Sequence, residues 1–226
     1  MKFAPAVGQK FNQNGSVRQF AGNTFVCHIE PENPVFEKLL WAQQTLQKMH
    51  CAHKFAFLPA SSFHMTLFEG LCDQVRVPEL WSSKLPLDLP LPEATQKLQQ
   101  ELAPVKDSEN YIMVYDAVYN SPVGGTILHL LPADQQCQQA LEQSRQQLSE
   151  LTGIRHADHH SYRFHITLSY KIIELNEDDE KELQQVSRRI NQHLSESFGQ
   201  LSHNPPAFCR FSDMFAFEPL LYLNKQ

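Results

Sequence analysis

Apolar and polar positions along this chain fall into short strand-like runs separated by longer stretches of helical spacing. Residues 24–29 read as a strand, and Pro31 and Pro34 behind it suit the first turn of a helix. Over residues 35–50, Phe36, Leu39, Leu40, Gln43 and Leu46 recur three and four apart, which predicts a helix with one largely apolar face. Residues 54–58 form a short strand before Pro59, and residues 62–68 form another that ends at Gly70. The proline-rich stretch 78–92 reads as an ordered connection or flap, with a short helix near 93–102. Residues 111–119 and 126–131 are two strands joined by the Ser121-Pro122-Val123-Gly124-Gly125 turn. A Gln-rich amphipathic helix over 133–151 closes at Gly153, and a strand follows over 163–170. Residues 178–198 are helical, with Asn176 as the cap, and residues 207–217 form a last strand. Residues 1–20 are polar and read as an irregular lead-in.

This order of elements contains a repeat. Phe63-His64-Met65-Thr66-Leu67 returns as Phe164-His165-Ile166-Thr167-Leu168, 101 residues later. The same offset superposes His28 on His129, Pro31 on Pro132, Leu40 on Leu141 and Ser62 on Arg163, with no gap between residues 28 and 67. One half-domain has been used twice, and two copies are too few for a solenoid. The expected fold is therefore α+β: a bilobed, pseudo-twofold arrangement of two mainly antiparallel sheets flanked by helices. The chain is read as a single bilobed domain over residues 1–226. Its first lobe is at about 22–77, the connection at about 78–92, the second lobe at about 110–200 and the final strand at about 207–217.

Composition narrows what such a body does. The 226 residues are 42% hydrophobic and 19% charged, as in globular rather than disordered chains. No apolar run is long enough for a transmembrane helix or a signal peptide, so no membrane association is expected. The five cysteines, Cys27, Cys51, Cys72, Cys137 and Cys209, are odd in number and lack a Cys-x-x-Cys pair. They read as reduced core thiols, which predicts a cytoplasmic protein, and a monomer is expected. Nineteen basic residues face 25 acidic ones, for a net charge of −6. A grip on long duplex nucleic acid needs a basic excess, so a small or terminal phosphate is the better ligand.

The chemistry lies in the repeat. Residues two apart on a strand share a side, so Ser62, His64, Thr66 and Phe68 are grouped on one strand and Arg163, His165, Thr167 and Ser169 on the other. With the alternate apolar residues packed on the helices, the two His/Thr sides face each other across an inter-lobe groove. A histidine titrates near neutrality, so a pair supplies one base and one acid on opposite sides of a phosphorus atom. Threonine hydroxyls then donate to the non-bridging oxygens. This chemistry calls for neither metal nor cofactor.

The two His-x-Thr motifs, each followed by leucine, resemble those of the 2H phosphoesterase superfamily, the LigT-like proteins. The resemblance extends over roughly residues 22–217. Phe20-Ala21-Gly22-Asn23-Thr24 and Tyr162-Arg163-Phe164-His165 are most similar to a little-characterised microbial branch. It implies a central cleft and metal-independent action on 2′,3′-cyclic phosphates, 2′,5′-linked nucleotides or RNA ends. His64 and His165 would be catalytic and Thr66 and Thr167 phosphate-binding. Two other readings keep the same cleft: a non-catalytic nucleotide or RNA-end binding module, and an RNA-end ligase or cyclase.

Other residues carry secondary expectations. Arg163 reads as a phosphate ligand or the partner of a carboxylate. His28 and His129 read as support beside the motif strands. Tyr111, Tyr115 and Tyr119 alternate along one strand side, as sheet packing or a base-stacking surface. His156-Ala157-Asp158-His159-His160 reads as a solvated loop rather than a metal site, and the acidic run 177–180 as a helix start.

Overall fold

The computed structural model describes residues 2–105, 110–121 and 124–223. Pro122 and Val123 of the expected turn lie outside the described residues. The first half contributes β1 (Gly22–His28), α1 (Phe36–Gln47), β2 (Phe55–Phe57) and β3 (His64–Cys72), and α2 (Leu91–Leu102) follows. The second half contributes β4 (Ile112–Asn120), β5 (Thr126–Pro132), α3 (Gln135–Thr152), β6 (His165–Thr167) and β7 (Ser169–Lys171). The chain closes with α4 (Glu177–Ser197), β8 (Gln200–Ser202), β9 (Ala207–Phe211) and β10 (Glu218–Tyr222).

Two four-stranded sheets, ordered β10-β9-β1-β3 and β6-β5-β4-β8, carry the two halves, and a small ribbon joins β2 to β7. Their pairings are antiparallel throughout. The fold is α+β and bilobed, as the repeat requires. The halves use the repeat in matching register. On β1 and β3, His28 stands opposite His64 and Cys27 opposite Met65. On β5 and β6, His129 stands opposite His165 and Leu128 opposite Ile166.

Local sequence accounts for the helices. Asp134 caps α3 by accepting from the Cys137 N–H at 2.8 Å, and Gly153 ends it at φ 69°, where a side chain would strain the backbone. Asn176 and Asp179 form a reciprocal capping box at the start of α4, in which Leu183, Ile190 and Leu194 face inward. One core runs through both halves, joining Phe25, Met65 and Leu67 to Leu128, Ile166 and Leu168. Four of the five cysteines are buried, and Cys72 is half-buried. No helix among the described residues is long and apolar enough to cross a membrane.

Three expectations are corrected here. The last strand does not run to residue 217: it stops at Phe211, and the chain turns back as β10. A register shift between Tyr115 and Ala117 makes Asp116 a bulge, so the three tyrosines do not share a side. Tyr111 is buried with its hydroxyl on Ser144, Tyr115 donates to Asn191 on α4, and Tyr119 faces His129. The 156–160 segment is not wholly solvated, because His159 is buried and His156 half-buried.

Candidate active site

The histidines and threonines of both motifs line one cavity of about 330 Å³. His64 and Thr66 come from β3, and His165 and Thr167 from β6; the two strands lie against each other without hydrogen-bonding as a ladder. What aligns them is backbone. His64 Nδ1 donates to the Ser62 carbonyl at 2.7 Å, and His165 Nδ1 donates to the Arg163 carbonyl at 2.8 Å. A carbonyl only accepts, so each neutral ring carries its hydrogen on Nδ1 and its lone pair on Nε2. Both imidazoles are thereby held in the same tautomer by repeat-related carbonyls.

Their surroundings differ. His64 lies against the Phe217 ring, with centroids 4.2 Å apart, and burial pushes its pKa down to about 4. The Ser62 carbonyl opposes that shift, while the His28 and His165 imidazoles add to it. His165 is flanked by Tyr162 and His129 at centroid distances of 6.2 and 6.4 Å. His28 Nε2 lies 3.5 Å from Cys209 Sγ, and burial lowers the pKa of both His28 and His129.

The cavity also collects residues that the motifs do not announce. Lys10 reaches in from the N-terminal segment, with Nζ 3.3 Å from the Tyr170 hydroxyl and over the Phe20 and Tyr170 rings. Among the described lining residues it is the one Lys or Arg. The half-buried Tyr162 phenol is hydrogen-bonded to Thr66, and desolvation raises its pKa. Glu69 lines the wall with His156, whose Nδ1 is 3.0 Å from the carboxylate. That hydrogen bond lifts the His156 pKa, and it holds Glu69 below the ordinary carboxylate range against the opposing effect of burial.

Glu69 occupies this wall because β3 shifts register between its pairings with Phe25 and Val26. The shift turns Phe68, expected on the cleft side, into the core. Simple alternation conceals such a residue. Lys10 comes from a segment with no periodic pattern, so no spacing signal pointed to it.

Arg163 is not brought into this cavity. β6 begins only at His165, so the alternation that would have aligned Arg163 with it does not extend that far back. The exposed guanidinium lies 3.8 Å from Asp116 and lines a neighbouring cavity. Among the described residues, Glu69, His156 and Asp158 have ligand atoms within 4.8 Å of one another, a spacing that would admit an ion. Two of these groups already satisfy each other through the Glu69–His156 hydrogen bond.

Residues 10–121 match a family model named 2H-phosphodiest and described as a domain of unknown function (DUF1868). A crystal structure of a conserved protein of unknown function from Agrobacterium tumefaciens strain C58 is similar with a TM-score of 0.91 and 28% sequence identity. The match covers 99% of this chain and 94% of that one. No curated protein matches the sequence. The family match supports a phosphoesterase type of function. Over residues 10–121, which hold the first His-x-Thr motif, the chain is similar to the 2H phosphoesterase family.

Proposed function

We propose that this protein is a metal-independent cyclic phosphodiesterase that opens a 2′,3′-cyclic phosphate or a related nucleotide or RNA-end phosphodiester. The observation that carries the reading is that both motif histidines line one cavity, each with Nδ1 committed to a backbone carbonyl and Nε2 left for proton transfer. His64, kept neutral by burial, is the base. It takes a proton from water as the water oxygen attacks phosphorus. The bond from phosphorus to one ribose oxygen breaks, and His165, entering the step protonated, delivers a proton to that oxygen. The product is a phosphomonoester beside a free hydroxyl. Proton return through solvent resets the pair.

Thr66 and Thr167 donate to the non-bridging oxygens, where charge builds in the transition state. Lys10 balances the phosphate charge from the cavity wall. Each histidine contributes roughly 10²–10⁴-fold, so loss of either removes most turnover.

The test is a panel of nucleoside 2′,3′-cyclic phosphates assayed in EDTA with wild type, His64→Ala and His165→Ala. Expected are turnover by wild type and a collapse in both variants with the fold intact by circular dichroism. Activity that needs added metal, or that survives both substitutions, overturns the mechanism.

A further inference from the structure

A second cavity of about 820 Å³ adjoins the first. It opens between α3, the segment leading to β6 and the end of β5. Tyr162 lines both cavities, and His129, on the wall of the larger one, stands opposite His165 in the β-ladder. The two spaces therefore meet at the acid end of the proposed reaction centre.

The chemistry of its lining selects a kind of ligand. Its two guanidinium groups are engaged elsewhere. Arg145 donates to the Leu67 carbonyl at 2.6 Å and the His159 carbonyl at 3.2 Å and stacks on Tyr162, while Arg163 is paired with Asp116. Glu142 and Glu150 add negative charge, so this space is poorly suited to a second phosphate. Exposed Gln139 and Gln143 present amides, each both donor and acceptor. Phe164 and Leu131 supply apolar surface, Leu131 being 49% exposed.

The wall also holds unspent polar capacity. His129 Nε2, His159 Nδ1 and Arg145 Nε are buried with no partner among the described residues. Their side chains belong to residues only 7%, 7% and 5% exposed. Burial holds both imidazoles below their ordinary pKa, so they meet a ligand as neutral rings. Amide edges and neutral imidazoles beside an aromatic and aliphatic surface match an uncharged planar heterocycle with its own donors and acceptors.

We propose that this cavity is a base-binding subsite: it takes the nucleobase of a substrate whose phosphodiester lies between His64 and His165. This rests on the phosphodiesterase reading and adds the requirement that the substrate carry a base on the His165 side.

Two measurements test it. Calorimetric titration of the His64→Ala/His165→Ala protein with adenosine, guanosine, cytidine and uridine reads the subsite without turnover. Saturable binding of at least one nucleoside is expected, weakened about tenfold or more by Phe164→Ala, on the scale of one lost base–aromatic contact. Gln143→Trp, which fills the cavity from an exposed helix position, should abolish it. In parallel, wild type should cleave a nucleoside 2′,3′-cyclic phosphate at least tenfold faster, by kcat/KM, than base-free ribose 2′,3′-cyclic phosphate. Equal rates for the two substrates, no nucleoside binding, or binding unchanged by Gln143→Trp overturns the subsite. If nucleosides bind as expected but no cyclic phosphate is cleaved, the subsite stands and the hydrolytic reading falls.

Discussion

At the scale of single residues, the two motif histidines are chemically alike and environmentally unlike. Both give Nδ1 to a carbonyl, yet His64 is pressed on Phe217 and desolvated. Its pKa of about 4 against an ordinary 6.5 fixes the sign of a pH effect. A base acts when deprotonated, so kcat/KM should not fall as pH drops through 6.5 and should decline only near 4. A pH–rate profile with an acid limb near 6.5 would exclude His64 as the base. Substituting Phe217→Ala, which admits water to the ring, should move that limb upward. Lys10 makes a second prediction. As the one Lys or Arg among the described lining residues, it should contribute to binding more than to proton transfer. A hydrogen bond to a charged group is worth about 1.5–3 kcal/mol, so Lys10→Met should raise KM about tenfold or more with kcat little changed. Steady-state kinetics on a cyclic nucleotide separates the two parameters.

At the scale of elements, the pseudo-twofold relation reaches past the motifs to the parts that lock them together. Gln43 on α1 donates to the Leu168 carbonyl at 3.0 Å, and Arg145 on α3 donates to the Leu67 carbonyl at 2.6 Å. Leu67 and Leu168 close the two motifs, so each half's helix holds the end of the other half's motif. Gln43 also donates to the Leu58 carbonyl at 2.8 Å. Replacing it with the similarly sized Leu leaves buried carbonyls short of a donor, at a cost of about 2 kcal/mol. Urea unfolding of Gln43→Leu measures this, and activity should fall with it because the residue that follows β6 loses its tie to α1. The motifs, the helices and the repeat were legible in the sequence because periodicity and identity reveal them directly. The bulges were not. Alternation through Phe68 and through Tyr115 and Tyr119 assumed an unbroken pleat, and each register shift reversed the facing of what followed. Glu69 reached the cavity wall by that reversal, and Arg163 missed the cavity of the two motifs because its strand starts two residues later than alternation implied.

At the scale of the whole molecule, the halves are laced rather than hinged. β2 of the first half pairs with β7 of the second, and β9 returns from the end of the chain to lie beside β1. The N-terminal segment bridges Phe3 to Ile173, Lys54 pairs with Asp179 on α4, and one core crosses between the sheets. These long-range returns have no local signature, which is why a repeat-based reading found two lobes but neither the ribbon nor Lys10. They carry a thermodynamic consequence. Neither half can unfold without exposing core held by the other, so the chain should melt as one cooperative unit. Trp41 and Trp81, one on α1 and the other buried in the stretch before α2, report on the first half, whereas far-ultraviolet circular dichroism reports on all the helices. In urea the two signals should superpose on a single transition. A ligand that binds only the folded cleft stabilises it by mass action, so inorganic phosphate should shift both curves together to higher urea, and by less in Lys10→Met. Two separated transitions, or a phosphate shift confined to one probe, would mean that the halves are independent bodies and that the cavity between them is not held by the fold.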